Sequence, residues 1–291
     1  MKKGTNILLI ALIAACLAGL FGYRMLDRLR TDNQAPEIVM ETDMLELSVT
    51  QPREALLQGV TAMDKKDGDV TDLLVVEKVS LINSDGDIQV SYAAFDRSGN
   101  VSKDQRQARY TDYVSPRFYL QSALRYRYGI SFDVLTNIGA QDILDGDIQH
   151  RIKASSLDNA SISEMGVHNI QFQVTNSLGD TVSYVLPVEV YDATQYDAEL
   201  NLTTYLVYLN RGDNFNPRDY LDEFVLRNET TNLRNGLPRD YTLETKGAVQ
   251  TDTPGAYAVD YLVTYTVRNE NDRTKDQYFT GCSKLIVIVE G

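Results

Sequence analysis

The chain has 291 residues, of which 43% are hydrophobic and 24% charged, so it can form several small domains that each bury a core. Its net charge of −13 repels phosphate backbones, which argues against nucleic acid as a partner. With only two cysteines and two histidines, a disulfide framework and a zinc site built from these residues are excluded.

An uncharged, apolar segment lies near the N-terminus. Residues 7–23 (ILLIALIAACLAGLFGY) follow Lys2 and Lys3, and 17 such residues are at the short end of what crosses a bilayer. The segment predicts a signal anchor, with residues 1–35 forming a cytoplasmic stub, a transmembrane helix in the lipid bilayer and a stalk. Two alternatives stay open, a cleaved secretory signal and lipidation at Cys16, because residues 13–16 resemble a lipobox.

A short pattern then occurs twice. Residues 67–70 read Asp-Gly-Asp-Val, and residues 96–100 read Asp-Arg-Ser-Gly-Asn. About 80 residues later, residues 145–148 read Asp-Gly-Asp-Ile, and residues 176–180 read Asn-Ser-Leu-Gly-Asp. A fixed period of this kind indicates repeated domains.

Alternating apolar and polar residues predict half-buried antiparallel strands around these turns, at residues 88–92, 170–174, 184–190 and 257–267. Upstream of them, short helical or turn elements are predicted at residues 51–57, 131–139 and 216–221; proline marks the start of the first and last, and Asn216 is the predicted N-cap. Strand, turn and strand in this order imply a hairpin near the end of each domain.

The repeat predicts an all-β chain of three tandem domains, at residues 36–113, 114–192 and 193–291. The third is divergent. Its residues 227–250 insert polar, turn-rich sequence where the earlier copies have the compact Asp-Gly-Asp segment.

Several segments of the first domain together form a recognisable motif: Ala35-Pro36-Glu37-Ile38, residues 60–64, Asp67-Gly68-Asp69-Val70-Thr71, residues 90–96 and Ser98-Gly99-Asn100. This succession resembles the bacterial immunoglobulin-like repeat found in tandem on surface proteins and in some pesticidal crystal proteins, related in style to hyaline repeats. The middle domain departs from the motif with Asn176 and Asp180, and the third keeps only residues 254–257 and 285–289. Over about 255 residues, the resemblance implies three immunoglobulin-like β-sandwiches with a spacer, adhesion or ligand-presenting role.

Oxygen-bearing side chains of the two turns suggest a calcium site, formed by Asp64, Asp67, Asp69, Asp96 and Asn100. The family geometry implied by the resemblance brings both turns to one pole of the sandwich. The competing interpretation is turn chemistry, in which the aspartates cap backbone N–H groups and glycine takes a positive φ. No other cofactor is expected.

The insertion in the third domain predicts a recognition loop, because loops carry specificity on rigid scaffolds. Its polar residues are Asn228, Thr230, Asn232, Arg234, Asn235 and Arg239. The alternative is a longer hairpin without a ligand.

The chain is not expected to be an enzyme, since no nucleophile, base and acid form a known motif and both histidines, His150 and His168, are predicted to face solvent. The favoured function is a membrane-anchored, single-pass bacterial protein whose extracellular domains mediate adhesion or bind a surface or envelope protein. The third domain would then be the most distant from the cell membrane. The alternatives are a carbohydrate-binding or enzyme-accessory module that binds polysaccharide, which exposed coplanar tyrosines would favour, and a mechanical spacer in an envelope complex.

Overall fold

The computed structural model describes residues 12–25, 32–157, 164–269 and 273–291. Apart from a helix over residues 12–25, the described chain consists of β-strands, short 3-10 helices and loops. In the described residues, three successive stretches of seven strands follow one another. The all-β architecture of tandem sandwiches is therefore confirmed.

The first domain packs two sheets over one core. One sheet has the order β1–β3–β4 and the other β2–β7–β6–β5, in which β2 runs parallel to β7. On β6, the residues Ile88, Val90 and Tyr92 are buried, while Gln89 between them is exposed, so the predicted alternation is confirmed. The strands are β1 Glu37–Met40, β2 Met44–Leu47, β3 Val60–Asp64, β4 Gly68–Asp69, β5 Leu74–Val79, β6 Asp87–Phe95 and β7 Val101–Tyr110, with 3-10 helices at Arg53–Leu57 and Thr71–Leu73.

The middle domain repeats this topology strand for strand. Its sheets have the orders β8–β10–β11 and β9–β14–β13–β12, and β9 runs parallel to β14. The strands are β8 Arg117–Leu120, β9 Arg125–Arg127, β10 Ile138–Asp142, β11 Gly146–Asp147, β12 Lys153–Ser156, β13 Gly166–Thr175 and β14 Thr181–Tyr191, with 3-10 helices at Val134–Thr136 and Gln149–Arg151.

The third domain keeps the strand sequence but joins its two sheets. The order is β18–β17–β15–β21–β20–β19, and β16 also pairs with β21 in parallel. The added pairing of β15 with β21 makes one seven-stranded sheet. The strands are β15 Ala198–Leu202, β16 Leu206–Leu209, β17 Leu221–Leu226, β18 Glu229–Asn232, β19 Tyr241–Lys246, β20 Gly255–Val267 and β21 Gln277–Val289, with 3-10 helices at Ala193–Gln195, Pro217–Tyr220 and Arg273–Lys275.

The predicted helix starts agree with these short helices. Asn216 caps the helix Pro217–Tyr220, and its Oδ1 accepts the N–H of Arg218 at 3.3 Å. The other two predicted elements contain single 3-10 segments of three to five residues, as suits a connection between strands.

The chain forms two compact units, which meet in sequence at Tyr113 and Val114. Within the second unit, the core of the middle domain includes Ile286 and Ile288 of β21. The neighbouring Leu285 and Val287 of the same strand point into the core of the third domain. Strand β21 is therefore buried on both faces and belongs to both cores. The predicted boundary between residues 192 and 193 stays a prediction.

The prediction of a single-pass membrane protein is wrong for the described part of the chain. A crossing helix needs about 20 predominantly apolar residues, and no described helix is long and apolar enough. The predicted bilayer partner, signal anchor and cell-membrane location are corrected on this finding. Residues 7–11 of the predicted anchor and residues 26–31 of the predicted stalk lie outside the described residues.

The two histidines differ in their surroundings. His150 is exposed, as predicted. His168 is only 4% exposed, because it lies on the inward face of β13 with Ile170 and Phe172, and its Nε2 is 2.8 Å from the carbonyl oxygen of Glu164. The prediction that His168 faces solvent is wrong.

Candidate functional site

The Asp-Gly-Asp turns of the first two domains share their hydrogen bonds. Asp64 ends β3, and its Oδ1 accepts the N–H groups of Lys66 at 2.7 Å and of Asp67 at 2.8 Å. Asp142 ends β10, and its Oδ1 accepts two backbone N–H groups at 2.9 Å each. Oδ1 of Asp64 and Oδ1 of Asp142 therefore each accept two backbone N–H groups of their turn, as the turn-chemistry interpretation requires.

Two further predicted calcium ligands are also bonded to backbone groups. Asp67 Oδ2 accepts the N–H of Arg97 at 2.9 Å. Asp69 Oδ1 accepts the N–H of Thr71 at 2.9 Å, and the hydrogen bonds from this threonine hold the pKa of Asp69 below its usual value. These two carboxylates thus fix the turns, and the calcium role predicted for them stays a prediction.

The other two predicted aspartates lie in an acidic cluster formed by Asp32, Asp64 and Asp96. One carboxylate oxygen of each lies within 4.8 Å of those of the other two, and Asp64 and Asp96 are each 5% exposed. Burial opposes the charge on Asp96, but hydrogen bonds from Asn100 and Ser98 outweigh it and hold the pKa of this carboxyl below its usual value. Asp32 falls within residues 1–35, for which the sequence predicts the anchor and its stalk, and it is not among the five predicted ligands.

Asn100, the fifth predicted ligand, ties Asp32 to the rest of the cluster. Its amide Nδ2 donates to the carbonyl oxygens of Asp32 at 3.1 Å and Gln34 at 3.2 Å, and to Asp96 Oδ2 at 2.6 Å. The group that Asn100 presents here is a donor, so this side chain positions the aspartates.

The predicted recognition loop begins at a tight hairpin turn. Arg227 and Asn228 connect β17 to β18 with φ values of 51° and 71°, the backbone of a two-residue hairpin loop. The predicted residues Thr230 and Asn232 lie on β18, and all six predicted loop residues are exposed. Of the remaining three, Arg234 forms an ion pair with Asp222, and Asn235 and Arg239 follow it in the chain. The recognition role of these residues stays a prediction.

An open groove of about 430 Å³ lies between the middle and third domains, within the second compact unit. Strand β9 borders it with Arg125 and Arg127, and the third domain borders it with Glu199 and the turn residues Arg227 and Asn228. Arg127 Nη2 and Glu199 Oε1 are 3.5 Å apart. Strand β9 is an edge strand, since β14 is its only partner strand in the described part of the chain.

A network of charged side chains lies below this groove. Arg125, whose side chain is 7% exposed, donates to both oxygens of Glu189, at 2.9 and 3.3 Å. Lys284, with a side chain only 3% exposed, is 3.2 Å from Glu189 and 3.0 Å from Asp260. Burial opposes the charge on Glu189, but Arg125 and Lys284 outweigh it and lower its pKa. The network joins strands of the middle domain to strands of the third.

Arg125 is also held by aromatic and sulfur atoms. Its guanidinium lies 4.2 Å from the ring centre of Tyr191 and 5.2 Å from that of Tyr196, and it contacts the Sγ of Cys282. Burial raises the pKa of the Cys282 thiol, so this cysteine stays protonated near neutral pH and is a poor nucleophile.

Three aromatic rings form a ladder across β19, β20 and β21. Tyr265 stacks on Tyr241 with ring centres 4.7 Å apart and faces Phe279 at 6.3 Å, with angles of 23° and 26° between the planes. The guanidinium of Arg227 lies 5.1 Å from the ring centre of Phe279. Both faces of Tyr265 thus lie against neighbouring rings, and the ladder is not the exposed coplanar platform that would favour carbohydrate binding.

The groove was not predicted from the sequence. Arg227 and Asn228 of its lining belong to the predicted insertion at residues 227–250, and only Asn228 is among the six residues predicted for recognition. Arg125 and Arg127 alternate on one short strand, which places both on the same face. Two arginines at alternate positions of a strand are a local signal of a positively charged strand face in an otherwise acidic chain. The ion pairs of Arg125 with Glu189 and of Arg127 with Glu199 could not be predicted, because they join residues more than 60 positions apart.

No protein-family profile matches the chain. It is 34% identical over 96 residues to an uncharacterized 81.3 kDa protein of Acholeplasma phage L2, and the match covers 28% of this chain and 13% of that protein. The chain thus spans about an eighth of the length of this relative.

Solved structures with some similarity are the protocadherin gammaB7 EC3-6 cis-dimer and a structure of CBM51-2 in complex with GlcNAc and INT domains from Clostridium perfringens ZmpB. The first is 10% identical, with 88% of this chain and 74% of that chain covered and a TM-score of 0.19. The second is 12% identical, with 87% and 44% covered and a TM-score of 0.22. These TM-scores are too low to define a shared fold. The fold of this chain is therefore described from its own strand order and sheet pairing.

Proposed function

We propose that this chain is a non-enzymatic protein-recognition module whose groove between the middle and third domains binds an extended segment of a partner protein. The observation that carries the proposal is the edge strand β9 along the groove. An unpaired strand edge offers main-chain donors and acceptors to which an extended peptide can add as a further strand.

The charges around the groove support a polar polypeptide as the partner. Arg127 and Arg227 lie on its border together with Asp197 and Glu199, and all four are exposed. Side chains of both signs suit a segment that also carries both, and such complementarity gives specificity.

The rigidity of the scaffold supports the same role. The two domains that border the groove share strand β21 in their cores and are joined by the network around Glu189. A preformed groove of this kind loses little conformational entropy when a ligand binds.

The finer assignments belong to this proposal as well. Membership of the bacterial immunoglobulin-like repeat family is supported by the seven-strand order common to the three domains. Binding of a partner protein in the groove would serve adhesion or protein assembly. A non-enzymatic role is part of the proposal, and the half-buried thiol of Cys282 at the groove, whose pKa is raised by burial, is consistent with it.

The test is selection of a displayed random-peptide library on the immobilised full chain, followed by affinity measurement of the enriched peptides. The double variant Arg127→Glu/Arg227→Glu should weaken their binding at least tenfold. The matched control is Arg211→Glu/Arg218→Glu, which makes the same charge change at exposed positions of the third domain away from the groove lining.

Enriched peptides that bind the native chain and the control equally, but not the groove variant, would support the proposal. No enrichment over a blank surface, or equal binding by all three proteins, would leave a mechanical spacer as the better account.

A further inference from the structure

We propose that Asp32, Asp64 and Asp96 bind a calcium ion in the first domain. Two independent observations carry this inference: the convergence of the three carboxylates, and a buried carboxylate oxygen that has no hydrogen-bond partner. The site is separate from the groove and does not depend on the function proposed for it.

The unpartnered oxygen is Oδ2 of Asp64. While Oδ1 of this residue accepts two N–H groups of the turn, Oδ2 is buried and accepts no hydrogen bond from any described residue. Oδ2 of Asp32 is in the same situation. A buried carboxylate oxygen without a donor is costly, and a bound cation removes that cost.

Among the described residues, no lysine, arginine or histidine forms an ion pair with Asp32, Asp64 or Asp96. Three carboxylates at such separations repel one another unless a positive charge lies between them.

The spacing suits calcium. Two oxygens that each lie about 2.4 Å from one ion are at most about 4.8 Å apart, and the three carboxylate oxygens fall within 4.8 Å of one another. Calcium takes six to eight oxygen ligands in flexible geometry, so three carboxylates and water complete its shell. Both histidines lie outside the first domain, which leaves an all-oxygen set.

The middle domain provides an internal comparison. Asn176 lies where the first domain has Asp96, and its Nδ2 donates to Oδ2 of Asp142 at 3.2 Å. Asp142 is the counterpart of Asp64, so an amide satisfies in the middle domain the very oxygen that is unpartnered in the first. The middle domain satisfies this oxygen with an amide donor, and the first domain leaves it for a cation.

The two repeats also exchange the acid and the amide in sequence. The first domain has Asp96 and Asn100, and the middle domain has Asn176 and Asp180. The variant Asp96→Asn/Asn100→Asp therefore gives the first domain the residues of the middle one without changing composition or net charge. It replaces the Asp96 carboxylate by an amide that can donate to Asp64 Oδ2, as Asn176 does to Asp142, and it moves the carboxylate to position 100.

The experiment is calorimetric titration of the full chain, freed of metal by a chelator, with calcium chloride and separately with magnesium chloride. The native chain should bind one calcium ion per molecule with a Kd between about 10⁻⁵ and 10⁻³ M. The exchange variant should show no binding at this site, and Asp43→Asn, which removes an exposed aspartate of the same domain, should bind as the native chain does.

A second variant covers the case in which the exchange variant does not fold. Asp32→Asn removes one ligand charge and should weaken calcium binding at least tenfold. Hydrogen exchange of the turns at residues 64–69 and 96–100 should slow on calcium addition in the native chain and in Asp43→Asn, and much less in Asp32→Asn at the same calcium concentration. No uptake at 10 mM calcium, or equal uptake by the native chain and Asp32→Asn, would overturn the proposal.

Discussion

Glu189 lies between two cations, Arg125 of the middle domain and Lys284 of the third. Each cation is almost fully buried, so neither has water to replace a lost carboxylate. Glu189 is the carboxylate that pairs with both cations, while Asp260 pairs with Lys284 alone, so the ionisation of Glu189 should be visible in the stability of the protein.

Replacing this residue by Glu189→Gln is expected to lower the free energy of unfolding by about 3 kcal/mol at neutral pH, because it leaves the buried Arg125 without a carboxylate and Lys284 with Asp260 alone. The pKa of Glu189 is lowered in the folded state from its usual 4.5. Its contribution is therefore fully present above about pH 4.5 and is lost as the pH falls through the folded-state pKa. Urea unfolding between pH 3 and 7 measures this difference.

The control for that prediction is Glu199→Gln, which removes the carboxylate of an exposed pair with Arg127. Such a pair contributes less than about 1 kcal/mol. If the gap between native chain and Glu189→Gln were constant from pH 3 to pH 7, the assigned role of this carboxylate would be wrong.

Part of the candidate cation site could be predicted at the residue scale. Asp64 and Asp96 stand in turn motifs, whose spacing is a local property of the sequence. Asp32 could not be assigned in this way, because its place is fixed by the long-range hydrogen bonds that its carbonyl group receives from Asn100. A regular feature did mark it: Asp32 precedes Pro36 by four residues, as Asp112 precedes Pro116.

At the scale of the elements, strand β21 contributes alternate residues to two different hydrophobic cores, one on each of its faces. Ile286 belongs to the core of the middle domain, together with Phe118 and Phe172. Leu285 belongs to the core of the third, together with Phe224. The alternation of side chains along a strand therefore assigns adjacent residues to different domains.

Truncation of Ile286→Ala or Leu285→Ala is expected to cost about 2 to 5 kcal/mol each, since both side chains are fully buried. Their local effects should differ. Aromatic NMR signals of Phe118 and Phe172 should shift in the first variant, and those of Phe224 in the second. Shifts confined to the third domain in both variants would contradict the shared strand.

Strands with one solvent-facing side could be predicted because their period of two is a local signal. On β21 that signal is missing: residues 285–289 form an unbroken apolar run. Such a run is typical of a strand buried on both faces, but it does not say which element covers the second face. The joining of the two sheets in the third domain was likewise beyond sequence patterns, since it depends on a two-residue parallel contact between β15 and β21.

At the scale of the whole molecule, the three repeats are not three equivalent folding units. The middle domain shares its core with residues of the third, and the two form one compact unit. A fragment of residues 114–192 lacks Leu206, Ile286 and Ile288 from that core. It is expected to lack native packing, whereas residues 114–291 should unfold cooperatively.

Near-ultraviolet circular dichroism and urea unfolding of the two fragments check this expectation. Residues 32–113 are the positive control, because they contain a first-domain core of their own. A fragment 114–192 that unfolded with the same midpoint as the longer one would show that β21 contributes nothing to the middle domain.

Strand β21 also determines when the middle domain can mature during synthesis. β14 ends at Tyr191 and β21 begins at Gln277. The ribosome therefore needs roughly ten seconds after completing β14 before it begins to synthesise β21, the last strand that contributes to the core of the middle domain. Over that interval the nascent chain exposes the apolar surface that Ile286 and Ile288 later cover. The sequence between the two strands therefore sets a waiting time in which a chaperone competes with aggregation for the unfinished domain.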